Sequence, residues 1–326
     1  MDFSLPWQPF YVQEGLRTVT DSSDGNGNND LIAMYALAAT VAFTVIVYSW
    51  EAYLDQRQQR AYQQKEFPPQ LADTVQKVDA SLLPKLQDKF TNAQSYGLDK
   101  IAVGRFASLY ETLESCSFLL LGYMPYCWDK SVQIGDKYFG LTQEENEIKI
   151  TLIFLGLVTV VGTITGLPFE LYSTFGVEKK HGFNKQTPGL FFMDKIKSLI
   201  LTAVIGSPFV ALLLTIIQKS GPHWYLYAWA FLLVFSVAMM SIVPIFIMPI
   251  FNKYEPLDDG PLKTAIYKLA DRLKYPLTKL FVMDGSKRSS HSNAFMFGFG
   301  SNKRIVLFDT LLTQVSQEEI LAILVS

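Results

Sequence analysis

Cysteine is nearly missing from this sequence, two in 326 residues, and neither sign of charge is in excess, with 28 Lys+Arg against 30 Asp+Glu. So few cysteines exclude a disulfide-stapled scaffold and a zinc site built from a cysteine cluster. The balanced charge argues against a basic nucleic-acid-binding surface and against an acidic disordered chain, so no nucleic-acid partner is expected. Histidine is scarce too, only His181, His223 and His291. No apolar run follows a basic start within residues 1–30, so that stretch does not read as a secretory signal peptide, and no internal repeat is visible. The polar, turn-rich stretch 21–30 reads as the end of a disordered tail.

What the sequence has in quantity is long apolar runs. Residues 31–50 are twenty in a row without a charge, enough for a helix to cross about 30 Å of hydrocarbon. Four more candidates follow at 106–128, 150–172, 198–217 and 224–251, the second carrying Glu111 and Glu114, the third Glu170. Lys and Arg are absent from all five and segregate between them: alternate connecting segments hold 23 on one side and 5 on the other. Such asymmetry is the positive-inside pattern of a polytopic membrane protein, and it puts the N-terminus in the lumen and the C-terminus in the cytosol.

Ionisable groups within spans are the first functional signal. Glu111 and Glu114 lie three apart on one helix face, either towards a polar cavity or, if the span begins near Ser115, in the headgroup region. Cys116 and Cys127 read as buried small residues. Residues 71–90 read as a short helical pair interrupted at Pro84. Beyond Phe251 the composition becomes that of a soluble α+β module. A helix opens near Pro261 and ends at Pro276, short strands are expected at 279–283, 293–297 and 304–308, and a capping box from Ser316 to Glu319 starts a last helix. Because that helix is short, the segment after Thr313 is expected to fray.

Several segments carry a family resemblance. They are 167–175 (Leu-Pro-Phe-Glu-Leu-Tyr-Ser-Thr-Phe), 181–187 (His-Gly-Phe-Asn-Lys-Gln-Thr), 251–257 (Phe-Asn-Lys-Tyr-Glu-Pro-Leu), 289–295 (Ser-Ser-His-Ser-Asn-Ala-Phe) and 304–312 (Arg-Ile-Val-Leu-Phe-Asp-Thr-Leu-Leu), with weaker matches at 51–57 and 96–100. In this order they resemble the type I CaaX prenyl endopeptidases, integral-membrane zinc metalloproteases. The resemblance implies a mostly α, seven-helix membrane barrel around a water-filled chamber, of which five spans are expected here, with a zincin-like α+β module on the cytosolic side. Beyond the lumenal tail read at 1–30, it implies a membrane domain at 31–256 and the first part of a metallopeptidase domain at 257–326. Residence in the endoplasmic reticulum membrane is implied as well, with membrane lipid and prenylated C-terminal CaaX peptides as partners, and removal of the last three residues after the prenylated cysteine as the reaction.

Zinc is the cofactor the resemblance implies, held by a His-Glu-x-x-His helix and a later glutamate. Residues 318–324 resemble the start of that helix, but Val325 and Ser326 stand where the family continues with Gly and the first ligand His. No catalytic or metal-ligating residue is therefore expected in this chain, which reads as a truncated, catalytically inert member. The resemblance assigns substrate binding to an edge strand containing Asn293, Ala294, Phe295 and Met296. Glu111, Glu114 and Glu170 become candidates for the chamber lining, and His181, Asn184 and Lys185 for a loop at its rim. Two other readings stay open, a non-catalytic membrane scaffold or prenyl-chain binder, and a transporter or channel, against which the lack of paired repeats counts.

Overall fold

The computed structural model describes residues 27–325. Of the expected tail at 1–30, residues 1–26 lie outside the described residues and 27–30 already belong to a helix. The chain divides into two compact units, one up to Val177 and one from Glu178 onward.

The first unit is helical throughout. α1 (Gly27–Tyr62), α2 (Pro69–Asp79), α3 (Leu82–Leu120), α4 (Tyr123–Phe139) and α5 (Glu147–Leu171) follow in order, and a π-helical stretch, Tyr172–Glu178, continues α5. Close approach of α1 and α3 depends on a glycine: a Cβ on Gly97 would stand 2.5 Å from the Tyr62 ring. Arg105 donates to Gln59 Oε1 at 2.8 Å across the same pair. α4 lies against α5 through Gly135 and the fully buried Ile150. Gly140, at φ 60°, ends α4 with its N–H on Asp136 O, while Leu141 N–H reaches Gly135 O, so a left-handed glycine turn satisfies carbonyls of the last turns.

Two expectations need correction here. The stretch 106–128 is not one continuous span, because α3 stops at Leu120 and Gly122, at φ 67°, turns the chain before α4 begins. A left-handed residue cannot continue a right-handed helix, and glycine adopts that conformation without a Cβ clash. The helical pair at 71–90 breaks at residues 80–81 rather than at Pro84, which sits in the first turn of α3, where its missing N–H would have had no intrahelical partner.

The second unit begins with α6 (Pro188–Lys219), capped by Thr187 Oγ1, which accepts from Leu190 N–H at 3.3 Å, and α7 (Trp224–Ile242) with a π-helical continuation, Val243–Ile247. A short α8 (Met248–Phe251) leads into the soluble module: β1 (Tyr254–Pro256), α9 (Pro261–Arg272), β2 (Leu277–Met283), β3 (Ala294–Phe299), β4 (Asn302–Phe308), α10 (Asp309–Gln314) and α11 (Gln317–Val325). Among the described residues, four segments are long and apolar enough to cross a membrane, Leu31–Tyr62, Glu147–Glu178, Pro188–Lys219 and Gly221–Phe251. Many of their large apolar side chains face outward, as those of lipid-facing helices do: Phe43, Ile164, Val204 and Val234 are all more than 60% exposed. The chain is a multi-pass membrane protein.

The sheet runs β1-β2-β4-β3, with β2 parallel to β4 and both outer pairs antiparallel. Its core is Leu257, Ile266, Leu280, Ile305, Leu307, Leu311 and Ile320, and each such side chain contributes about 1.5–3 kcal/mol by leaving water. Ile320, only 2% exposed, docks α11 into that core, so the segment after Thr313 is an ordered helix rather than the frayed end expected. The capping box forms as read: Glu319 Oε2 accepts from Ser316 N–H at 2.7 Å, and Ser316 Oγ accepts from Glu319 N–H at 3.4 Å. β1 was not foreseen, and α9 ends at Arg272, ahead of Pro276.

Candidate functional site

β3 is the outer strand of the sheet, paired only to β4 among the described residues. The register places Ala294 opposite Leu307 and Met296 opposite Ile305, and Phe308 N–H donates to Asn293 O at 3.0 Å. In an antiparallel ladder, bonded and non-bonded pairs alternate. Asn293, Phe295 and Phe297 therefore exchange hydrogen bonds with β4, and the backbone groups of Ala294 and Met296 point to the outer edge. The Ala294 N–H is already taken by Asn293 Oδ1 at 2.8 Å. What remains at the edge is the Ala294 carbonyl followed by the N–H and carbonyl groups of Met296 and Gly298. Side chains divide by strand alternation. Phe295 and Phe297 stack on one face with ring centroids 6.1 Å apart, and Arg304 lies over Phe297 at 5.7 Å.

The segment leading into β3 is tied down by polar contacts of long sequence separation. Arg288 forks onto Asp194, Nε to Oδ2 at 2.7 Å and Nη2 to Oδ1 at 3.0 Å, and Nη2 also reaches the Phe251 carbonyl at 2.7 Å. Gln186 Nε2 adds a bond to Asp194 Oδ2 at 3.2 Å. Asn184 bridges Ser289, Lys185 N–H donates to Arg288 O at 3.0 Å, and Ser290 N–H donates to Phe183 O at 2.9 Å. His291 stacks on Phe183 with ring centroids 4.3 Å apart, and its Nε2 lies 3.4 Å from Glu178 Oε2. From the other flank, Thr310 Oγ1 donates to His291 O and Gln314 Nε2 to Ser290 O, at 3.0 and 2.8 Å. Planar, bidentate Arg–carboxylate pairing is the most geometrically specific of these contacts.

Asp284 gathers the start of the same segment. It accepts from Lys253 N–H at 2.7 Å and from Asn252 Nδ2 at 3.4 Å, and pairs with Lys287 at 2.6 Å. Burial pushes its carboxyl up, but these donors and the Lys287 charge outweigh burial and hold it below the ordinary range. The Tyr254 hydroxyl is pushed up to about 12, first by burial and then by the Asp284 charge.

The candidates named from sequence are thus distributed unevenly. Ala294, Phe295 and Met296 share the outer strand, which Asn293 immediately precedes, and Asn184 and Lys185 lie on the loop that pairs with residues 288–289. His181 lies on the same loop, two residues from the Phe183 ring on which His291 stacks. Glu111 and Glu114 are on α3 and Glu170 is on α5. Tyr110 donates to Glu114 Oε1 at 3.4 Å and stacks towards Phe169 at 5.0 Å, which brings the α3 pair to the neighbour of Glu170. Glu111 and Glu170 are exposed, Glu114 half-buried. Asp194, Arg288, Glu178, Phe183 and Asp284 escaped sequence reasoning. Beside near neighbours such as Lys287 for Asp284 and Gln186 for Asp194, each has a partner 31 to 113 residues away, and no local spacing announces those distant pairs.

Zinc, implied by the resemblance, finds no matching donor set among the described residues. No group of three or more His, Cys, Asp or Glu side chains stands together there, and His291 is engaged with Phe183 and Glu178. The residues present do not fit a zinc centre, so no hydrolytic step is assigned to them.

Comparison with known proteins gives a consistent picture. Residues 58–253 match the family model described as CAAX prenyl protease N-terminal, five membrane helices, and residues 256–325 match Peptidase family M48. The CAAX prenyl protease 1 homolog of Arabidopsis thaliana is 43% identical over 90% of this chain and 66% of its own length. The Homo sapiens homolog is 42% identical over 85% of this chain and 56% of its own. The crystal structure of S. mikatae Ste24p superposes with a TM-score of 0.77 at 38% identity, covering 87% of this chain and 64% of that one. The chain thus spans less than two thirds of the length of these relatives. With both family models in register along it, the chain belongs to the CAAX prenyl protease family, of which it carries the membrane region and a segment of the M48 peptidase domain.

Proposed function

We propose that this chain serves the processing of CaaX proteins, as the membrane scaffold and substrate-pairing strand of a zinc endopeptidase that removes the C-terminal tripeptide from prenylated proteins. The observation that carries this reading is the outer edge of β3, where the Ala294 carbonyl and the Met296 N–H and carbonyl are directed away from β4. An extended peptide gains main-chain hydrogen bonds there whatever its side chains, which suits an enzyme that accepts varied a-a-X tails. With the Ala294 N–H held by the Asn293 side chain, the donors left at the edge are the N–H groups of Met296 and Gly298, spaced as an extended peptide needs. The polar ties around Arg288, Ser290 and His291 hold the entry to the strand in place, so the edge is set before substrate arrives.

The same reading makes residues 257–326 the first part of the peptidase domain and the loop at His181, Asn184 and Lys185 the rim that fastens it. Glu111, Glu114 and Glu170 line the water-filled chamber, with zinc completing the full-length enzyme. It also puts the protein in the endoplasmic reticulum membrane with a lumenal N-terminus and a cytosolic C-terminus, a reading supported by the five membrane helices of the matched family model and, counted over five crossings, by the 23-to-5 segregation of basic residues. The test is binding of a prenylated C-terminal peptide to the purified chain in lipid nanodiscs. Met296→Pro removes the outward N–H without touching the β4 ladder, and edge positions tolerate proline. Binding lost in Met296→Pro and kept in Met296→Ala supports the reading; equal binding by both variants contradicts it.

A further inference from the structure

Along the face of β3 that carries Phe295 and Phe297 lies an open groove of about 610 Å³, bounded on its other side by the end of α7, its π-helical continuation and the start of α8. Met239, Met240, Val243 and Met248 line it from the helix, and no charged side chain does. Its volume falls within the roughly 300–1,000 Å³ of pockets that enclose small ligands. The opposite face of the strand, where Met296 points, meets a much smaller hollow of about 200 Å³ against α9.

We infer that the larger cavity receives the isoprenoid chain of the prenylated cysteine. The inference rests on the proposal that the substrate peptide pairs with β3. A peptide strand added to that edge alternates its side chains between the two faces of the sheet, as Phe295 and Met296 do. A residue placed on the Phe295 face directs its substituent into the 610 Å³ cavity, and its neighbours in sequence meet the 200 Å³ side. Size alone therefore assigns the prenylated residue to the larger face. The lining points the same way. Methionine is unbranched and polarizable and adapts to a chain of repeating isoprene units, and its sulfur and the two phenyl rings interact well with polarizable alkenes. The entry route is apolar as well: Met240, Val237 and Phe246, each more than half exposed, continue along the candidate span Gly221–Phe251, so a chain already dissolved in the bilayer reaches the cavity without crossing water.

The experiment uses the purified chain in phosphatidylcholine nanodiscs with a C-terminal peptide bearing a diazirine-labelled farnesyl group, and the same peptide without the lipid. The expected result is photolabelling of Met239, Met240, Met248, Phe295 or Phe297. Met240→Trp, at a position 61% exposed and so tolerant of size, should fill the cavity and weaken the farnesylated peptide at least tenfold while leaving the bare peptide unchanged. Val234→Trp, exposed on the same helix but outside the cavity, should change neither. Labelling confined to other residues while both peptides still bind overturns the cavity assignment and leaves strand pairing standing. So does equal weakening of both peptides by Met240→Trp. Labelling that free farnesol or added phospholipid removes as readily as the bare peptide leaves it would mark a general lipid site and also overturn the assignment. Binding of neither peptide overturns the pairing proposal and this inference with it.

Discussion

The two halves of the molecule are held by different kinds of bond. In the first unit most described side-chain hydrogen bonds are local, hydroxyls of Thr40, Thr44, Ser117, Thr151 and Thr163 returning to a carbonyl four residues earlier. Helix-to-helix fit there comes from a glycine under a tyrosine ring and from packed apolar faces. In the second unit the decisive contacts span 94 to 113 residues of sequence: Arg288 to Asp194, His291 to Glu178, Ser290 to Gly182. A helix in lipid satisfies its backbone internally and needs little else, whereas a strand paired on one side alone, as β3 is among the described residues, is fixed by something other than a second neighbour.

Breaking the polar half should have the larger effect. Asp194→Ala leaves the Arg288 guanidinium, about four-fifths buried, without its carboxylate, and should cost the soluble module about 3 kcal/mol in denaturant-induced unfolding. Arg288→Lys, which keeps the charge but not the fork, should recover only part of the loss. Ile320→Ala should cost about 2–4 kcal/mol in the same assay, because its side chain is 2% exposed in the core. Next comes Gly298→Ala at the β3 turn. Glycine there has φ 118°, and an added Cβ would fall 2.1 Å from Asn302 O, so hairpin strain of about 1–3 kcal/mol is expected, with weaker peptide binding. By contrast, Val234→Ala on the lipid-facing side of α7 should shift stability by less than about 0.5 kcal/mol.

The smallest effect should come from pH. Asp284 has its folded-state pKa below its unfolded value, so its contribution is fully present above the unfolded pKa, near 3.8, and is lost as pH falls through the lower folded value. Asp284→Asn should remove that acid sensitivity and leave stability at neutral pH modestly reduced. A thermal-shift series from pH 7 to 3 on both proteins measures it, and parallel curves would show that Asp284 is not responsible.

The same contrast decides what the sequence made legible. Long apolar runs and their flanking charges reveal helices because the signal is local, and the capping box at Ser316 and Glu319 was readable for that reason. The break at Gly122 was hidden by counting apolar residues, although a glycine followed three positions later by Pro125 is a helix-stop signal. Pro84 misled in the other direction, since a proline inside the first helical turn starts rather than ends a helix. β1 is three residues long and has no period to detect. The wiring around Arg288 could not be read at all. Asp194 sits among the lysines near the start of α6 and looks like an ordinary membrane-flanking charge until folding brings it to a residue 94 positions away. For the strand itself, 293–297 was placed within two residues of its observed bounds, while which backbone groups face outward followed only from its register with β4.

The central claim is that the outer edge of β3 is the place where a peptide adds. Residue-resolved amide exchange, with and without a farnesylated C-terminal peptide, tests it most directly. Phe295 and Phe297 amides, already bonded to β4, should exchange slowly in both states, and the Met296 amide should change from fast to slow when the peptide binds. Unchanged exchange at Met296 under saturating peptide would contradict the account.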